Sequence, residues 1–184
     1  MSIQALIDQR VAEARLFQLR PRMPDDPIER AMYVSEEIWR LVEGPWSEES
    51  IERRCGRLRA DMEQFVSGRV VSLCLTPYEA KSAFFGLLDA PADGIWDLRS
   101  VDPSPGLRLL GGFSETDVFI ALTPAPRSVP VPFMDRPPLG DADSREWAAA
   151  IRDCKAAWRR LFHPYATHKG DKASDFVSAD YILV

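Results

Sequence analysis

The sequence predicts an α+β protein: a mainly antiparallel sheet with an N-terminal helical layer and a C-terminal helix packed on the sheet. Three features predict it. Apolar residues recur at helical spacing through 1–68, short strand-like runs punctuated by turn residues fill 69–122, and a second helical stripe occupies 145–162. With 184 residues, 46% of them hydrophobic and 28% charged, the chain can bury one core without disulfides or metal. It is read as a single domain, 1–184, made of a helical layer (1–68), an α+β core (69–162) and a tail (163–184) that ends on a possible edge strand.

The N-terminal part reads as three helices. Ile3, Ile7, Val11 and Ala14 set the first stripe, widened by Leu6 and Phe17. Pro21, Pro24 and Pro27 form a connector, and Pro27 suits the first position of a second helix carrying Ile28, Ala31, Met32, Ile38, Trp39 and Val42 up to Gly44-Pro45. Ser47 is a plausible N-cap for the third, with Glu48 and Glu49 placed for the helix dipole. Its stripe, Ile51, Cys55, Leu58, Met62 and Phe65, is regular enough for a core face or a helix–helix seam. Glu52, Arg53, Arg57, Arg59, Asp61 and Glu63 read as its solvated face.

From Arg69 the pattern changes. Val70 to Leu75 reads as a strand, and Thr76-Pro77-Tyr78-Glu79 as a capping box opening a helix through Ala80, Phe84, Leu87 and Leu88. Ile95–Arg99, Leu107–Phe113 and Asp117–Leu122 follow as strands whose joins are too short for parallel crossovers, so an antiparallel meander is expected. Both faces of the last strand are apolar, which marks it as central. Residues 123–144 are a proline-rich connector, Asp143-Ser-Arg-Glu146 a second capping box, and Trp147, Ile151, Cys154, Trp158 and Leu161 one buried helical stripe. Tyr181-Ile-Leu-Val184 can add the edge strand.

Composition narrows function. A net charge of −5 disfavours bare nucleic acid as a partner, although a local arginine patch remains compatible with it. No apolar run approaches the roughly 18 residues of a membrane span, and no export signal precedes the first helix, so a cytoplasmic location is expected. Cys55, Cys74 and Cys154 are odd in number and form no CxxC pair, against a disulfide framework or structural zinc. No phosphate-binding, dinucleotide, nucleophile-elbow or metalloprotease motif is present, and no cofactor or metal is expected.

Three polar groupings merit attention. His163, His168, Asp171 and Asp175 hold metal-ligand types at a spacing matching no ligand pattern, and a histidine near helix-terminal carbonyls explains them as well. Asp89, Asp93, Asp97 and Asp102 crowd the turns of the sheet, where aspartate is a common turn residue. Arg99, Arg108 and Arg127 lie on or just past neighbouring strands and can converge on one sheet face, an arrangement suited to phosphate.

Ile95-Trp-Asp-Leu-Arg-Ser100, Gly106-Leu-Arg-Leu-Leu110, Asp117-Val-Phe-Ile-Ala-Leu122 and Pro126-Arg127 resemble the sheet of the RelE/ParE toxin superfamily over residues 69–127. The resemblance implies an RNA-directed endoribonuclease in which Arg108 and Arg127, with Arg99 nearby, stabilise the scissile phosphate. Trp96 and Asp97 stand where ribonuclease members carry lysines, and acidic residues outnumber basic ones across 69–133. The expectation is therefore a diverged, non-enzymatic interaction module, with a protein partner or self-association through the N-terminal helices, and the endoribonuclease as alternative.

Overall fold

The computed structural model describes residues 2–46, 48–77, 79, 83–126 and 145–184. Its centre is an eight-stranded sheet: β1 (Leu16–Leu19), β2 (Ala31–Ser35), β3 (Val71–Cys74), β4 (Phe85–Leu87), β5 (Trp96–Ser100), β6 (Leu107–Glu115), β7 (Val118–Pro126) and β8 (Tyr181–Leu183). Their order is β1-β2-β7-β6-β5-β4-β3-β8. The helices are α1 (Ile3–Ala12), α2 (Glu36–Glu43), α3 (Glu49–Val66), α4 (Arg145–Phe162) and a single turn, α5 (Ala173–Phe176). The fold class is α+β. The sheet is mixed, because β2 runs parallel to β7 and β3 runs parallel to both β4 and β8.

The meander forms as its short joins require. β5, β6 and β7 pair antiparallel in succession, with Arg99 directly opposite Arg108. β7 is covered on both sides. Phe119 and Ala121 enter a core with α2, α3 and α5, while Ile120 and Leu122 enter a second core with α1 and α4. The molecule is thus three layers, helices on each face of one sheet. The α3 stripe Ile51, Cys55, Leu58, Met62 and Phe65 is buried in the first core, and Cys154, Trp158 and Leu161 of α4 are buried in the second.

Three expected helical stretches turn out otherwise. The first helix stops at Ala12; Ala14 takes a left-handed φ of 54° and turns the chain into β1, where Phe17 stacks on Trp39. Ala31 and Met32 lie in β2 and not in a helix, so the 1–68 layer contributes two strands to the sheet. A short apolar run fits either period, and here the open edge of the doubly covered β7 takes it as a neighbour. Ser35 then caps α2, its Oγ accepting from the Ile38 N–H at 3.4 Å. The third stretch lies beyond Thr76. Phe85–Leu87 is strand β4 between β3 and β5, because Phe85 packs against Phe65, Phe113 and Phe119 at the heart of the first core.

Two residues assigned to the solvated face of α3 are buried. Arg59 bridges Glu43 and Glu63 and donates to the Arg20 carbonyl at 2.6 Å, while Asp61 pairs with Arg57 at 3.0 Å. Burial raises the Asp61 carboxyl above its usual range against the opposing pull of Ser100 and Arg57. The Ser47 cap, the Tyr78 position of the first capping box, the start of the second box and Arg127 lie outside the described residues.

The C-terminal edge strand forms, and Arg30 holds it. This buried guanidinium donates to the carbonyls of Arg69 at 3.0 Å and Ala179 at 2.5 Å, stands 3.6 Å from Asp117, and lies over the Phe65 ring. Residues 30, 69, 117 and 179 are thereby drawn to one point beside β3 and β8.

Candidate functional site

Arg99 and Arg108 are brought together, and Asp97 explains how. Ile95, just before β5, and Asp97 and Arg99 on it share the face that packs on α4, and Arg108 shares it from β6. Arg99 Nε donates to Asp97 Oδ2 at 2.9 Å, and Arg108 Nη1 donates to the same oxygen. Asp97 is wholly buried, whereas the arginine side chains remain 10% and 17% exposed. Arg108 also lies 5.5 Å from the centre of the Trp147 ring, a cation–π contact from the first turn of α4. Two guanidinium groups therefore share the Asp97 carboxylate in a desolvated setting. A cleft of about 190 Å³ opens beside it, walled by Arg99, Arg108, Ser104 and Gly106.

The sequence placed Asp97 among turn aspartates. Its strand position opposite Leu110, with arginines at 99 and 108 on the same face, was the signal for its role. Two of the four aspartates serve separate partners. Asp93 pairs with Lys155 at 2.6 Å on α4, while Asp97 serves the arginines.

The histidine grouping also separates. His163 is exposed at the end of α4. His168 Nε2 lies 2.9 Å from the Asp175 carbonyl, and Asp175 Oδ2 accepts from the Asp171 and Lys172 N–H groups, closing the start of α5. Among the described residues no three histidine, cysteine or carboxylate groups converge as a metal site. The three cysteines are buried, and burial pushes the Cys55 thiol up to about 11, with Arg54 pulling it slightly back.

Two further surface features are present, the first with no counterpart in the sequence reading and the second on the edge strand expected there. One is a cleft of about 320 Å³ between α4 and the 163–169 segment, lined by Lys155, Arg159, His163, Tyr165 and Lys169. The other is the free edge of β8, where Tyr181, Ile182, Leu183 and Val184 are 37–58% exposed, with Val70, just before the neighbouring β3, also open to solvent. Among the described residues no helix is long and apolar enough to cross a membrane.

No family model, curated protein or solved structure matches this chain.

Proposed function

We propose that this protein is a non-enzymatic interaction module that associates with a second copy of itself edge to edge through β8. The observation that carries the reading is the unpaired, uncharged outer edge of that strand. Asp180 accepts from the Val71 N–H and Val184 donates to the Leu73 carbonyl, so even-numbered residues bond inward to β3. By alternation, the N–H and C=O groups of Tyr181 and Leu183 lie on the outer edge. A two-fold axis through Ile182 pairs Tyr181 with Leu183 of the second copy, and Leu183 with its Tyr181, giving a self-complementary antiparallel ladder. No charged side chain in 181–184 opposes it, and exposed apolar side chains flank both faces.

The N-terminal stripe is not available for this contact, since Ile51, Cys55, Leu58, Met62 and Phe65 are at most 4% exposed within the chain's own core. Against the endoribonuclease alternative stands the engagement of both Arg99 and Arg108 by the buried Asp97, which occupies guanidinium groups that a phosphoryl site would need. Backbone amide exchange tests the reading. The Tyr181 and Leu183 amides should become protected as concentration rises while other exposed amides stay unchanged. Concentration-independent exchange at both positions contradicts it, and cleavage of free or ribosome-bound RNA by the purified chain supports the alternative.

A further inference from the structure

The cleft between α4 and the 163–169 segment concentrates positive charge in a chain whose net charge is −5. Lys155, Arg159 and Lys169 line it against one carboxylate, Asp93, which is engaged by Lys155. Arg159 and Lys169 are exposed and make no ion pair among the described residues. The half-buried Tyr165 adds aromatic surface to the lining, backed by the buried Ile95 and Trp158. At about 320 Å³ the space falls in the range of small-ligand sites.

This lining is also fixed in place. Tyr165 donates its N–H to the Phe162 carbonyl at 2.6 Å, and its own carbonyl accepts from Trp158 Nε1 at 3.0 Å. Thr167 Oγ1 donates to the Asp93 carbonyl at 2.8 Å, and the His168 N–H donates to the Phe113 carbonyl at 2.7 Å. Thr167 reaches Asp93 because residue 94 is glycine: a Cβ there, at φ 61°, would lie 2.3 Å from Thr167 Oγ1. A loop tied down at 165, 167 and 168 presents its cleft already shaped, which lowers the entropic cost of binding.

We propose that this cleft binds a small phosphomonoester carried on a body with a flat ring, the chemistry of a nucleoside 5′-monophosphate. Arg159 and Lys169 take the phosphate, the former through its guanidinium fork, and Tyr165 packs on the ring. The site is separate from the β8 edge and does not depend on it.

Calorimetric titration of the full chain tests this with a nucleoside 5′-monophosphate, the same nucleoside without phosphate, and inorganic phosphate. The monophosphate should bind saturably, about tenfold or more tighter than either half alone, because the cations and the aromatic surface both contribute. Arg159→Ala and Lys169→Ala should each weaken it by about tenfold with an unchanged melting temperature, since both side chains are exposed. Absence of saturable binding, equal affinity for inorganic phosphate, or affinity untouched by both substitutions overturns the proposal. So does a single-stranded RNA oligonucleotide that binds far more tightly than the monophosphate and alone responds to the substitutions, which would make the cleft part of a polymer track.

Discussion

Arg99 and Arg108 face each other directly across β5 and β6 and donate to one and the same oxygen of Asp97. Like charges opposite each other destabilise a strand pair, and the shared carboxylate reverses that penalty. Removing it as Asp97→Ala leaves two guanidinium groups with little exposure and no common counter-ion. The expected loss is about 3–5 kcal/mol by urea denaturation. Arg99→Ala should cost clearly less, because Arg108 still holds Asp97. Equal losses for the two variants would show that the carboxylate is not shared in solution.

Arg54 presents the opposite case. It is buried on α3, and among the described residues its Nε and Nη2 find no hydrogen-bond partner. Desolvation holds its pKa below the usual guanidinium value. Replacing it by methionine keeps the length and removes the unsatisfied donors. Arg54→Met should raise stability by about 1–3 kcal/mol in the same denaturation experiment, and a fall in the midpoint would refute this account of the site.

Trp158 anchors the second core and the wall of the basic cleft at once. It is buried, its ring packs on Phe162 at 4.8 Å, and its indole N–H is spent on Tyr165. Trp158→Ala should destabilise by about 3–5 kcal/mol, the cost of truncating a buried large aromatic. A near-unchanged thermal midpoint would place the α4 stripe away from the sheet.

The meander, the β8 edge and the α4 stripe were legible because each rests on local rules: short joins, turn residues and a regular helical period. β2 and β4 were not. Ala31-Met-Tyr-Val34 and Phe85-Gly-Leu87 are short apolar runs whose strand state is decided by distant partners, β7 for one and the Phe65–Phe113–Phe119 cluster for the other. Arg99 and Arg108 were found as a pair from their strand positions, but Asp97 was read as turn chemistry because its register opposite Leu110 is a long-range fact. The basic cleft joins Asp93, in the short 3₁₀ turn Pro91–Asp93, to Lys155 and Lys169, far apart in sequence, and no local pattern announces it.

Cys55 gives a pH-dependent check of the first core. Its thiol holds its proton up to about 11 in the folded chain, above the ordinary cysteine value of about 8.5 in the unfolded one. Stability from this group is therefore full below the ordinary value and declines as pH rises toward 11. Cys55→Ala should flatten that part of the stability profile. In the native protein at neutral pH all three buried thiols should resist a thiol reagent and react after denaturation; a fast-reacting thiol in the native state would contradict the packing of α3 or its neighbours.

The association through β8 is tested most directly by sedimentation velocity across a concentration series, comparing the natural chain with Ile182→Lys. Ile182 is 55% exposed, so the lysine leaves the fold intact while placing like charges at the two-fold axis. The natural chain should shift from monomer toward dimer as concentration rises, and the variant should remain monomeric with the same melting temperature. A natural chain that stays monomeric throughout, or a variant that dimerises equally well, contradicts edge-to-edge assembly.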